Sequence, residues 1–402
     1  KQKPLTFCAS IYSTKRKASL KKRKEETTGG IVLKKILSII LVLSMVLAFV
    51  ACAPSEPTEP ETPEPEVTDP AGEEPVDTDP AGEEPVGDDK TYALIVKSAG
   101  NPFMQKMIDG FTEVIDAEGG EVVIKQPETA TAEHQITMIN ELVAQGVDSI
   151  CIAANDVDAL QPALTAAMDA GIKVSGLDSA TNADSRQLFI NQAGTVEIGV
   201  ALSEAAHDIM GGEGEFAILS ATSQATNQNA WIEAMADTMA NDDMYANMTR
   251  VEVAYGDDEY QKSVDQTQAL LRNYPDLKLI VAPTTVGIMA AAKVLEDQGV
   301  TDTVKLTGLG LPSEMADYVG DGDDFSTPYF YLWNPIDLGR LGAYASIALV
   351  DGSTTGAAGE TFGAGDLGEY EIVEAADGGT EIILGPPFKF TPENIDEWKD
   401  VY

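Results

Sequence analysis

The sequence predicts an α/β protein of two lobes, each a parallel sheet covered by helices. Three observations carry this. From Thr91 onward, short apolar runs alternate with longer amphipathic stretches. Glycines stand where amphipathic stretches should stop. The series starts afresh near Ile198, so about 310 residues hold two of them, the size of two ordinary domains.

Upstream of that body the chain reads as an address and a tether. Lys34 and Lys35 precede 16 uncharged residues, Ile36 to Ala51, rich in Leu, Ile and Val, and then Cys52. That length is short for a spanning helix of about 20 residues and suits a secretory signal. With small residues at Ala48 and Ala51, the run resembles a bacterial lipoprotein signal, although Phe49 stands where that family usually has Leu. The resemblance implies cleavage before Cys52, acylation of Cys52, and a body held by lipid on the outer face of the cytoplasmic membrane. Residues 32–51 are then the signal peptide. Residues 1–31, basic and polar, are expected to be an untranslated or removed leader. Residues 53–89 hold nine prolines, 14 acidic residues and no Lys or Arg, and Thr68–Val76 recurs letter for letter as Thr78–Val86. Such a composition precludes a packed core, so residues 52–89 read as an acylated cysteine followed by an extended tether.

In the body, Ala93–Val96, Glu121–Ile124, Ser149–Ala153 and Ile172–Ser175 have the apolar, β-branched character of strands. Helical patterns at Phe103–Ala117, Ala132–Ala144 and Asp158–Ala170 separate them, with Gly146 and Gly171 at helix ends. A second series has strands at Glu215–Leu219, Val251–Ala254, Leu277–Val281 and Val304–Leu306. The alternation predicts parallel sheets with helices on both faces.

Composition excludes several functions. The chain carries 26 basic and 66 acidic residues, and within residues 90–402 the counts are 15 and 50. A body this acidic repels phosphate backbones, which rules out nucleic acid as a partner. Cys8, Cys52 and Cys151 are too scattered for a disulfide framework or a thiolate metal site, and Cys151 sits in an apolar strand as core. The two histidines, His134 and His207, have no metal-motif spacing, and neither a nucleophile elbow nor a phosphate-binding loop occurs. No enzyme, cofactor or metal is expected.

Ligands of such sheets bind beyond the carboxyl ends of the strands. The residues there are polar or small: Lys97 and Asn101, Asn155–Asp156, Asp178, Asn191–Gln192, Asn227–Gln228, Pro283–Thr284–Thr285 and, later, Trp333–Asn334. Carboxylate, amide and ammonium groups satisfy vicinal hydroxyls, while an indole face packs on C–H surface. A small polyhydroxylated ligand fits that set. Each residue also has a plainer reading. Lys97 could be a surface lysine, Asp178 a turn former, Asn227 or Thr226 a helix cap, and Trp333 core.

Four runs in order, Ala225–Trp231, Ala282–Ile288, Thr307–Met315 and Leu332–Gly339, make the body from about Tyr92 to Val401 resemble the type I sugar-binding proteins of ABC importers. Within that family it is most similar to the branch of rhamnose-binding proteins and autoinducer-2 receptors. The resemblance implies two Rossmann-like lobes joined by a three-strand hinge. Lobe one would be 90–192 with 334–351, and lobe two 193–333 with 352–402. It implies a monomer that binds a sugar or autoinducer-2 between its lobes and meets a membrane permease with its ATPase. Lys97, Asp178, Gln228 and Pro283 match the autoinducer-2 pattern, whereas Asn227 replaces an Asp and Thr285 an Ala. Those departures change the hydrogen-bond inventory and rank rhamnose ahead of autoinducer-2. The implied ligand set is Lys97, Asn101, Phe103, Asp178, Asn227, Gln228, Pro283, Thr285, Trp333 and Asn334. A sensory receptor would have the same body. A sugar-responsive repressor would need a DNA-binding helix pair where the signal and tether stand.

Overall fold

The computed structural model describes residues 90–402; the leader, signal, Cys52 and tether lie outside the described residues. The first sheet is built from β1 (Thr91–Ile95), β2 (Glu121–Lys125), β3 (Ser149–Ile152), β4 (Lys173–Leu177) and β5 (Leu188–Asn191). These pair in parallel in the order β2-β1-β3-β4-β5. Helices α1 (Pro102–Ala117), α2 (Ala132–Gln145) and α3 (Gln161–Asp169) connect the first four strands.

Strand alternation decides which helix covers which face. Ala93 and Ile95 point to the side where Ile139, Leu142 and Leu164 of α2 and α3 pack. Tyr92 and Leu94 point to the other side, onto Met107, Phe111 and Ile115 of α1. Both faces are therefore apolar, and each strand reads as a continuous apolar run. Asn101 caps α1 by accepting from the Phe103 amide, and Gly146 ends α2 in the left-handed conformation. The third helix starts at Gln161 rather than at the expected Asp158. The Asp156 side chain instead accepts from the amides of Asp158 and Ala159, holding that segment as a turn.

The second sheet repeats the plan with β6 (Glu213–Ser220), β7 (Asn247–Tyr255), β8 (Leu277–Ala282) and β9 (Lys305–Gly308), in the parallel order β7-β6-β8-β9. Helices α4 (Thr195–Met210), α5 (Thr226–Ala240), α6 (Tyr260–Asn273) and α7 (Thr285–Gln298) accompany it. A single turn, α8 (Pro312–Met315), follows β9, and then β10 (Phe330–Leu332).

The chain passes between the two sheets three times. It leaves the first after β5 and returns through Trp333–Asn334 into α9 (Pro335–Asp351), which lies against α1. The expectation that 352–402 belongs wholly to the second lobe needs correction. A small hairpin of β11 (Thr361–Gly363) and β12 (Glu369–Glu371) comes first, and then β13 (Val373–Glu374) and β14 (Thr380–Ile383) extend the first sheet. There β14 pairs in parallel with β5. The buried Arg186 guanidinium fixes that arrangement by donating to both oxygens of Asp377. Only after Ile383 does the chain cross again, so that β15 (Phe388–Phe390) pairs with β10 and α10 (Ile395–Trp398) follows. No helix among the described residues is long and apolar enough to cross a membrane.

Candidate functional site

In both sheets the strand order reverses beside the first strand of the series, between β1 and β3 and between β6 and β8. Such a switch point opens a crevice beyond the carboxyl ends. Lys97 follows β1, Asp178 follows β4, Asn227 and Gln228 follow β6, Asp258 follows β7, and Pro283 to Thr285 follow β8. All of them line one cleft between the two sheets, together with Asn101, Phe103, Met104, Trp231, Leu309, Leu332 and Trp333. The cavity these residues enclose is narrow, about 40 Å³.

Its polar side centres on Lys97, only 6% exposed. The ammonium lies 3.1 Å from an Asp178 carboxylate oxygen and donates to Asn227 Oδ1 at 3.0 Å. Asn227 Nδ2 donates in turn to the same Asp178 oxygen at 3.1 Å. Ion pair and amide thus close a triangle bridging the lobes. An aspartate at 227 would set a second carboxylate beside Asp178, so the amide keeps this triangle neutral.

Support behind the triangle comes from side chains that tie strand ends together. Gln135 is fully buried, donates to the carbonyls of Val96 and Ala153, and accepts from the Asn155 amide. Asn155 Nδ2 then donates to the Lys97 carbonyl at 2.9 Å. Gln228 uses its side-chain oxygen to accept from Ser220 Oγ and the Ala221 amide, both at 2.8 Å. Its amide group lines the cleft. Asp178 itself has φ +62°, a conformation uncommon for any residue but glycine and typical of strained functional positions.

The opposite side is apolar. Trp333 meets Phe103 edge-on at 6.2 Å and Trp231 at 5.8 Å between ring centroids. The buried Trp333 Nε1 has no hydrogen-bond partner among the described residues. An aromatic wall facing a fan of donors and acceptors matches a sugar ring, which has C–H faces and a hydroxyl rim.

Nine of the ten residues expected from the sequence lie around this cleft. The exception is Asn334, which caps α9, accepting from the amides of Ile336 and Asp337 and donating to the Asp337 carboxylate. Its role is to start a helix, and Pro335 behind it is the sequence signal. The surface reading fails for Lys97, which is buried, while Trp333 lines the cleft and also packs in the hydrophobic core. Cys151 is core, its thiol pushed up to about 12 by burial. Sequence reasoning missed Asp258, which accepts from Asn101 Nδ2 at 2.9 Å and from Thr284 Oγ1 at 3.0 Å. It also left out Met104, Leu309 and Leu332 as lining residues.

Known proteins resemble the chain over most of its described residues. A family model, the periplasmic binding protein domain, matches residues 92–354. An ABC transporter solute-binding protein from Clostridium phytofermentans, solved with bound L-rhamnose, is 61% identical with a TM-score of 0.77. That match covers 78% of this chain and 99% of the other. A sugar ABC transporter protein from Actinomyces odontolyticus is 41% identical, TM-score 0.61, over 77% of this chain and 97% of its own. A D-ribose/D-allose-binding protein of Pseudomonas aeruginosa is 28% identical over 229 residues, 54% of this chain and 69% of the relative. The chain therefore belongs to the type I periplasmic-binding-protein family, among the solute-binding proteins of ABC transporters.

Proposed function

We propose that this protein captures L-rhamnose between its lobes and delivers it to the permease and ATPase of an ABC importer, from a position tethered outside the cytoplasm by acylated Cys52. The observation that carries the ligand class is the neutral Lys97–Asp178–Asn227 triangle facing the Phe103–Trp333–Trp231 wall. Hydroxyls of a neutral sugar both donate and accept, so they can join such a triangle without bringing in net charge. L-Rhamnose is favoured because the 61%-identical solute-binding protein holds it. Its methyl group in place of a hydroxymethyl suits a cleft with Met104, Leu309 and Leu332 in the lining.

A thermal-shift panel of L-rhamnose, D-ribose, D-glucose and autoinducer-2 tests the assignment. Ligands that bind only the folded form raise Tm by an amount that grows with the logarithm of their concentration over Kd. L-Rhamnose is expected to give the largest rise. A larger rise with autoinducer-2 or D-ribose would overturn the choice of sugar and keep the cleft. Lipid attachment is checked separately, by whether Cys52→Ala releases the protein from membranes.

A further inference from the structure

Asp258 lies in a tight loop after β7 that joins the two sides of the cleft. Among the described residues, non-glycine positive φ occurs only at Asp178, Asp257 and Asp258, and the last two are consecutive at +54° and +58°. Residues other than glycine adopt this left-handed region uncommonly. Aspartate and asparagine are the side chains that tolerate it best. The surroundings hold the strained pair in place. The amides of Gly256 and Asp257 donate to the carbonyls of Ser220 and Ala221, both at 2.9 Å, and Lys262 pairs with the Asp257 carboxylate.

That leaves Asp258 facing the cleft with a different partner on each oxygen. One oxygen accepts from Asn101 Nδ2, which belongs to the first sheet's lobe, and the other from Thr284 Oγ1 in its own lobe. Asn101 is oriented for this by its second task, since its Oδ1 accepts from the Phe103 amide at 2.9 Å. Thr284 occupies the cap position of α7, yet its hydroxyl turns to Asp258 rather than to the helix amides.

We propose that Asp258 is the latch between the lobes: its bond to Asn101 sets how long the closed form persists, and so how slowly a bound sugar leaves. The sugar clause rests on the function proposed above; the contact between lobes does not. A hydrogen bond to a charged group contributes enough for roughly a tenfold change in lifetime or more. Asp258 is a positioning residue in this account, acting through Asn101.

The test is a pair swap. Asp258→Asn tolerates the left-handed backbone but presents an amide nitrogen where Asn101 needs an acceptor. Its L-rhamnose off-rate by stopped-flow is expected to rise about tenfold, with a much smaller change in on-rate and Tm. Combining Asn101→Asp with Asp258→Asn reverses donor and acceptor, keeps a competent helix cap, and should bring the off-rate most of the way back. A ligand-free arm follows hydrogen exchange of residues 225–231 in the full chain, expected to quicken in Asp258→Asn and recover in the double variant. Failure of L-rhamnose to bind the unaltered protein would overturn the sugar assignment and leave the exchange arm to decide the latch. The latch itself is overturned if Asp258→Asn leaves exchange and off-rate unchanged, or if the double variant is no better than the sum of the single ones.

Discussion

Lys97 and Asp178 face one another with 8% and 3% of their side chains exposed, so each offsets a charge that burial alone would make costly. Removing one member leaves the other unpaired. Asp178→Ala is expected to weaken sugar binding at least a hundredfold and lower Tm, whereas Asp178→Asn keeps an acceptor and should lose less; titration and melting of both variants check the order. Glu314 is the opposite case. Burial raises its carboxyl from the ordinary 4.5 to about 7, and one of its oxygens has no hydrogen-bond partner among the described residues. The unfolded chain releases this proton near 4.5 and the folded protein holds it to about 7, so stability falls as pH rises through that window. Glu314→Gln should therefore melt higher than the unaltered protein at pH 8 and alike at pH 4. A gain at pH 4 as large as at pH 8 would contradict the assignment. Nothing in the sequence marks Glu314, because its perturbation comes from tertiary burial.

Elements differ in how plainly the sequence announces them. Strands β1 to β4 and β6 to β9 are apolar runs, most of them covered on both faces, and they are legible. The strands from β10 on have only two to four residues each and little two-sided burial, so their pairing depends on neighbours far away in sequence. The return of β14 to the first sheet is invisible in the sequence for that reason. Contact between α1 and α9 is equally hidden. A Cβ at Gly339 would overlap the Met107 carbonyl, and one at Gly110 would overlap the Ile336 carbonyl, because the two helix backbones touch there. Gly339→Ala is expected to force them apart at a cost of about 1–3 kcal/mol. Denaturant midpoints would measure it, and an unchanged midpoint would mean that the helices have room to spare.

At the scale of the molecule, two parallel sheets that share one four-strand order, β2-β1-β3-β4 in the first and β7-β6-β8-β9 in the second, meet at their switch points, and the chain joins them three times. This symmetry gathers strand-end residues from distant parts of the sequence into one cleft, which is why the strand pattern alone points to most of them. Asp258 escapes that logic because it lies three residues beyond β7, in an Asp–Asp–Glu run within a body already holding 50 acidic residues, where one more carboxylate carries no signal. Asn334 enters the expected set because a polar residue beside an aromatic looks the same in sequence whether it faces a ligand or, as its side chain does here, caps a helix. The central claim is that the cleft holds a monosaccharide through the Lys97–Asp178–Asn227 triangle. Calorimetric titration with L-rhamnose of the unaltered protein and of Lys97→Ala tests it most directly. The account expects one site per chain with micromolar affinity, about −8 kcal/mol, abolished in the variant while the fold persists; equal affinity in the two proteins would contradict it.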